Sequence, residues 1–163
     1  MAAALTGRPV SLDIKLMKHR SLADARCPIA RSLDVVGEWW SLLILRDAFR
    51  GVRRFDDFQA SLGIARNLLA RRLKRLVAAG LLETRPYSTR PPRHEYRLTD
   101  KGRDLYPVLM TLLDWGKRWA PLATSAVAVS RRTGAPLDPV LVDRATGEPI
   151  TPATVAMQYP AAV

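Results

Sequence analysis

Residues 64–80 read IARNLLARRLKRLVAAG. The run holds no proline and no internal glycine, is dense in strong helix formers, and stops at Gly80, which reads as a C-cap. At 100° per residue, Leu69, Leu73 and Leu76 fall within about 40° of one direction, while Asn67, Arg71, Lys74 and Ala78 gather opposite, with Ala70 and Arg75 at the margins. One flank packs and the other is basic.

On the N-terminal side, RFDDFQASL places Phe55, Phe58 and Leu62 at helical steps before Gly63 breaks the pattern. On the C-terminal side, Leu81 and Leu82 lead into ETRPY, the turn-rich STRPPR and HEYRL, where Glu95 and Arg97 alternate with Tyr96 and Leu98. That alternation predicts two short strands joined by a basic loop. A short helix, a glycine turn, an amphipathic helix and a basic hairpin form a winged helix-turn-helix pattern, so the expected fold is mainly α with a small β-hairpin wing.

The mechanics of that pattern assign roles. A major groove about 12 Å wide admits one helix, whose N-terminal outward residues reach base edges. Arg66, Asn67, Ala70 and Arg71 stand there: Arg suits guanine, Asn suits adenine, and the small Ala70 permits close approach or contact with a thymine methyl. Lys74 and Arg75 lie farther along, where phosphate contact is expected. Arg90 and Arg93 bracket two prolines at the hairpin tip and would enter the minor groove or grip its phosphates.

Composition agrees with this reading. The 163 residues are 48% apolar and carry a net charge of +11. Residues 64–97 alone hold nine basic side chains and two acids, whereas residues 121–163 hold three of each. A field concentrated in this way suits a polyanion, since neutralising phosphates releases condensed counterions. One cysteine and two histidines exclude a disulfide framework and any zinc cluster built from cysteines of one chain. No phosphate-binding glycine loop, nucleophile elbow or ligand cluster is present, so no catalytic residue, cofactor or metal is expected. The absence of a long apolar run and of a signal-peptide core predicts a soluble cytoplasmic protein without membrane contact.

The flanks complete the organisation. Residues 1–20 show no period and are expected to form a flexible or partner-dependent arm. Pro28 suits the first position of a helix running to about Val36, with Cys27 as its N-cap and Ile29, Leu33 and Val36 on one face. EWWSLLILRDAF continues as a second helix between Gly37 and Gly51. Thr99 is expected to cap a late helix, RDLYPVLMTLLDWGKRW, which Pro107 would kink near its first turns. The winged domain is expected to occupy residues 21–120. Residues 121–163 form a proline-rich extension in which PVLVDRATGEPIT predicts a small hairpin turning at Ala145 to Gly147.

The motifs CPIARSLDVVGEWWSLLILRD, RRFDDFQ, the ARRL portion of the basic helix, PPRHEYRLTDKG and Trp115 together resemble the HxlR-type winged helix-turn-helix regulators of bacteria and archaea. The resemblance spans residues 26–119. It implies a homodimeric DNA-binding transcription regulator, usually a repressor, that binds an inverted-repeat operator and pairs its subunits through the first and late helices. Ile29, Leu33, Leu105, Leu109, Leu112, Leu113, Trp115 and Trp119 are the interface residues on that carry-over. Trp39 departs from the pattern, standing where a basic residue is expected, and the extension after residue 120 has no counterpart in the short pattern.

Cys27 faces the positive end of a helix dipole beside Arg26 and Arg31, which suits a reactive thiol. The resemblance implies an oxidant or electrophile sensor at this position, alongside the plain alternative of a small capping residue. The expected partners are double-stranded DNA, a second copy of the chain, and an oxidant or small-molecule effector. The competing reading is an RNA-binding or ribosome-associated basic winged helix.

Overall fold

The computed structural model describes residues 21–120, 122 and 126–156, so the arm of residues 1–20 lies outside the described residues. The chain falls into two compact units, residues 1–38 and 39–163. The first contains helix α1, Pro28–Val36, with Cys27 as an extended N-cap and Pro28 opening the first turn. Asp34 ties this helix to the segment before it by accepting the Leu22 N–H at 2.8 Å. Arg31 donates from its guanidinium to the carbonyls of Ala25 and Arg26 at 2.6 and 3.0 Å, which closes the turn containing Cys27.

The second unit runs α2 Trp39–Phe49, α3 Phe55–Leu62, α4 Arg66–Ala78, β1 Leu82–Thr89, β2 Pro92–Leu98, α5 Asp100–Arg103 and α6 Tyr106–Trp119. Its core joins Ile44 and Leu45 of α2, Phe58 of α3, Leu69, Leu73 and Leu76 of α4, Leu81 just before β1, Leu82 of β1 and Leu109 of α6. The leucine stripe expected on α4 is therefore the face that packs, each side chain contributing about 1.5–3 kcal/mol by burial. Gly63 ends α3 in the left-handed conformation at φ 61°, which an L side chain adopts only with strain. That turn sets the crossing between α3 and α4.

Two helix boundaries differ from the sequence expectation. The C-cap of α4 is Ala79, and Gly80 follows it at φ 71°. The N–H groups of Gly80 and Leu81 donate to Val77 and Leu76 carbonyls, each at 2.9 Å, which is the Schellman pattern with glycine one place beyond the cap. The late helix is two helices: α5 closes at Arg103, and α6 begins at Tyr106 with Pro107 in its first turn. Proline lacks an N–H and suits a helix start, so it accompanies a break here and does not kink a continuous rod.

The wing is the antiparallel pair β1–β2, in register from Leu82↔Leu98 to Thr89↔Pro92. Glu83 faces Arg97 and Arg85 faces Glu95, so one surface of the hairpin is a square of alternating charge. A third edge comes from outside it. The Arg53 carbonyl accepts the Tyr96 N–H at 2.7 Å, and Arg54 bridges Glu95. The loop before α3 is thus stitched to the wing.

Candidate nucleic-acid interface

Arg66, Asn67, Ala70, Arg71, Lys74 and Arg75 are all exposed on α4, on the flank opposite the buried leucines. Arg90 and Arg93 are exposed at the hairpin tip. Local pairing sorts this basic surface. Arg85 and Arg97 are neutralised by Glu83 and Glu95 along their own strands, at 2.8 and 2.6 Å. Arg71, Lys74, Arg90 and Arg93 make no ion pair among the described residues. Arg66 pairs with Asp56 at 3.3 Å, yet both side chains are more than 70% exposed. Such a pair is worth at most about 1 kcal/mol, so a phosphate or base edge displaces it at little cost.

Between the start of α4 and the wing lies a cleft of about 300 Å³ lined by Phe55, Asp56, Arg66, Tyr87, Arg93, His94 and Tyr96. Sequence periodicity did not single out Arg54, Tyr87 or His94, and the reason is a bulge. The register slips between Pro86 and Ser88, so Tyr87 is the unpaired extra residue. Bulges re-aim a side chain, and Arg54 stacks over the Tyr87 ring at 4.6 Å. Arg66 stacks in the same way over Phe55 at 4.7 Å. Deeper in, Tyr96 meets the buried Phe58 edge-on at 6.4 Å, and its burial pushes its hydroxyl pKa up. The floor of the cleft is fixed by the core while its rim carries the positive charge.

The HxlR-like helix-turn-helix profile matches residues 35–124. The chain belongs to that family. An HTH-type transcriptional regulator of Mycobacterium tuberculosis is 52% identical over 93 residues, which are 57% of this chain and 59% of the relative. The chain thus spans under two thirds of that relative's length.

Among solved structures, PA1607, described as a transcription factor candidate, superposes with a TM-score of 0.77 at 42% identity, covering 86% of this chain and 99% of its own. The oxidised form of the redox regulator HypR gives a TM-score of 0.52 at 32% identity over 56% of this chain and 96% of its own. Like the solved transcription factors it superposes on, this chain is mostly helical with a two-stranded antiparallel wing. Among the described residues no helix is long and apolar enough to cross a membrane, and no His, Cys, Asp or Glu group is arranged to hold a metal.

The surface apolar residues divide on α1 and α6. Leu109 is buried in its own unit and Leu105 and Leu113 are partly buried, so these three support α6 from behind. Ile29 and Leu33 on α1 are 66% and 52% exposed. On α6, Leu112, Trp115 and Trp119 are 48%, 59% and 73% exposed. Cys27 is also exposed, and its side chain makes no capping hydrogen bond.

Proposed function

We propose that this HxlR-family chain is a cytoplasmic, non-enzymatic transcription regulator, a repressor, that binds an inverted-repeat operator in double-stranded DNA as a homodimer. The observation that carries the reading is the division of α4: its leucines are locked in the core while Asn67, Arg71 and Lys74 stand exposed. In this reading Arg66, Asn67, Ala70 and Arg71 read base edges. Lys74 and Arg75 hold phosphates, and Arg90 and Arg93 carry the wing into the adjacent groove. Helix α4 starts without a side-chain cap, which leaves its first N–H groups open to a backbone phosphate.

Large exposed tryptophans and leucines on α1 and α6 support subunit pairing through those helices, because monomers seldom leave such patches in water. The RNA reading is less well supported. The outer flank of α4 carries no aromatic residue on which an unpaired base could stack. Oxidant control through Cys27 is supported by the exposed thiol and by similarity to a redox regulator. Selection of genomic duplex fragments by the purified protein tests the function: enrichment of one inverted repeat is expected, and unselective recovery overturns the sequence-specific reading.

A further inference from the structure

The extension after α6 contains an internal repeat. Residues 129–136 read VSRRTGAP and residues 142–149 read VDRATGEP, offset by 13 positions and identical at Val, Arg, Thr, Gly and Pro. The two copies fold alike. Val129 bridges Pro136 as Val142 bridges Pro149. Gly134 donates to the Ser130 carbonyl and Gly147 to the Asp143 carbonyl, each at 2.8 Å, with both glycines near φ 71°. Ser130 and Asp143 then cap equivalent turn N–H groups with their side-chain oxygens.

Each hairpin is too small to bury its own apolar side chains. Val127, Val129, Leu137, Val140, Leu141, Val142 and Ile150 remain exposed. The extension also continues the α6 surface, since Pro139 and Leu141 line one groove of about 270 Å³ with Trp115 and Trp119. The charges of the copies differ. The first carries Arg131 and Arg132 and no acid, whereas the second carries Asp143 and Glu148 against Arg144 alone. Arg131, Arg132, Arg144 and Glu148 are exposed and make no ion pair among the described residues.

We propose that these hairpins pair crosswise with those of a second copy of this chain, the first hairpin of one subunit seated against the second hairpin of the other. Twofold symmetry requires a patch in which site i meets site j and j meets i. Two copies of one hairpin with opposite charge, consecutive in the chain, supply such a patch. Every net charge of the chain lies before residue 121, so the neutral extension is also where two strongly positive subunits approach without repulsion. The inference rests on the homodimer reading above and adds to it an interface outside the winged domain.

Sedimentation equilibrium of the full-length protein at about 50 mM salt, where exposed charges are weakly screened, tests it with Arg131→Glu/Arg132→Glu, Glu148→Arg, and all three together. Symmetry counts each contact twice, so the double and the single variant should each raise the dimer dissociation constant about tenfold or more, and the triple variant, with both signs reversed, should restore it to within about threefold. A dissociation constant that the charge variants leave unchanged, or a thermal shift without weaker dimerisation, means that the hairpins serve only their own subunit and overturns the proposal. Leu33→Glu with Leu112→Glu, neither of which lines the groove shared with the extension, separates the two readings. If that pair dissolves the dimer while the tail variants do not, subunit pairing through α1 and α6 stands and the crosswise contact falls. A wild type that is monomeric throughout removes both.

Discussion

The Ser61 hydroxyl donates to Oδ2 of Asp47 at 2.7 Å, joining the end of α3 to a carboxylate that has no exposure at all. The other oxygen of Asp47 receives Arg46 at 2.8 Å and lies 3.8 Å from Arg50. The first helix of the helix-turn-helix, α3, is therefore tied at its end to one buried charge in α2. Removing the carboxylate loses three interactions at once, whereas removing the hydroxyl leaves the arginines in place. Asp47→Ala should lower unfolding free energy by about 1.5–3 kcal/mol and Ser61→Ala by about 1 kcal/mol in urea titrations. Equal small losses would mean that the carboxylate is not the joint.

Gly102 is the corresponding joint on the wing side. Thr99 Oγ1 donates to the Gly80 carbonyl at 2.6 Å and accepts the Gly102 N–H at 3.1 Å. A Cβ on Gly102 would drive well inside contact with the Leu81 carbonyl oxygen, a backbone atom that cannot swing away. Gly102→Ala should cost about 1–3 kcal/mol and lower Tm. A gain in stability, as expected for alanine in an unobstructed helix, would contradict the packing.

The second tail hairpin should be acid-sensitive and the first should not. The N–H groups of Thr146, at 3.0 Å, and Ala145, at 2.6 Å, hold the Asp143 carboxyl below the ordinary aspartate value of 3.8. A depressed folded pKa means that the turn is strengthened above the ordinary value and loses that support as pH falls through the folded one. Ser130 caps the first hairpin with a hydroxyl, which does not titrate. The Ala145 and Thr146 amide resonances should move with a midpoint below 3.8 while those of Arg132 and Thr133 stay fixed. A midpoint at or above that value would contradict the cap.

Mild oxidant should weaken DNA binding of the wild type and leave Cys27→Ser unaffected, measured by fluorescence anisotropy before and after treatment and after reduction. With one cysteine per chain, a disulfide joins two subunits or a subunit and a small thiol. Equal responses of both proteins would remove the sensor reading.

Much of this was legible in the residues because the signals were local. Leucine spacing set the packed face of α4, Pro28 marked the start of α1, and Gly63 marked the break after α3. Non-local pairing was not legible. Nothing in RRF announces that Arg53 and Arg54 will add an edge to β2, and the bulge at Tyr87 depends on a partner strand. The split before α6 was hidden because Pro107 is compatible with a kink and with a new first turn alike. Of the tail repeat only the second copy is legible as a hairpin, since its Asp-Arg-Ala-Thr-Gly is a stronger turn signal than Ser-Arg-Arg-Thr-Gly. The candidate DNA-reading residues follow from helix geometry alone, whereas the Arg54–Tyr87 stack beside them depends on a bulge that only the paired hairpin makes.

Salt dependence separates holding from reading. Lys74→Ala and Arg90→Ala each remove a charge expected to hold a phosphate. Each should weaken binding to every duplex alike and reduce the slope of log affinity against log salt by about 1. An unchanged slope would place these side chains off the backbone.

The central claim is that the exposed flank of α4 reads bases, and base-preference profiles of Asn67→Ala and Arg71→Ala against randomised duplexes test it most directly. Each variant should lose preference at one operator position, by about 1–3 kcal/mol, with the remaining positions intact. Profiles that weaken uniformly at all positions, as for Lys74→Ala, would contradict it.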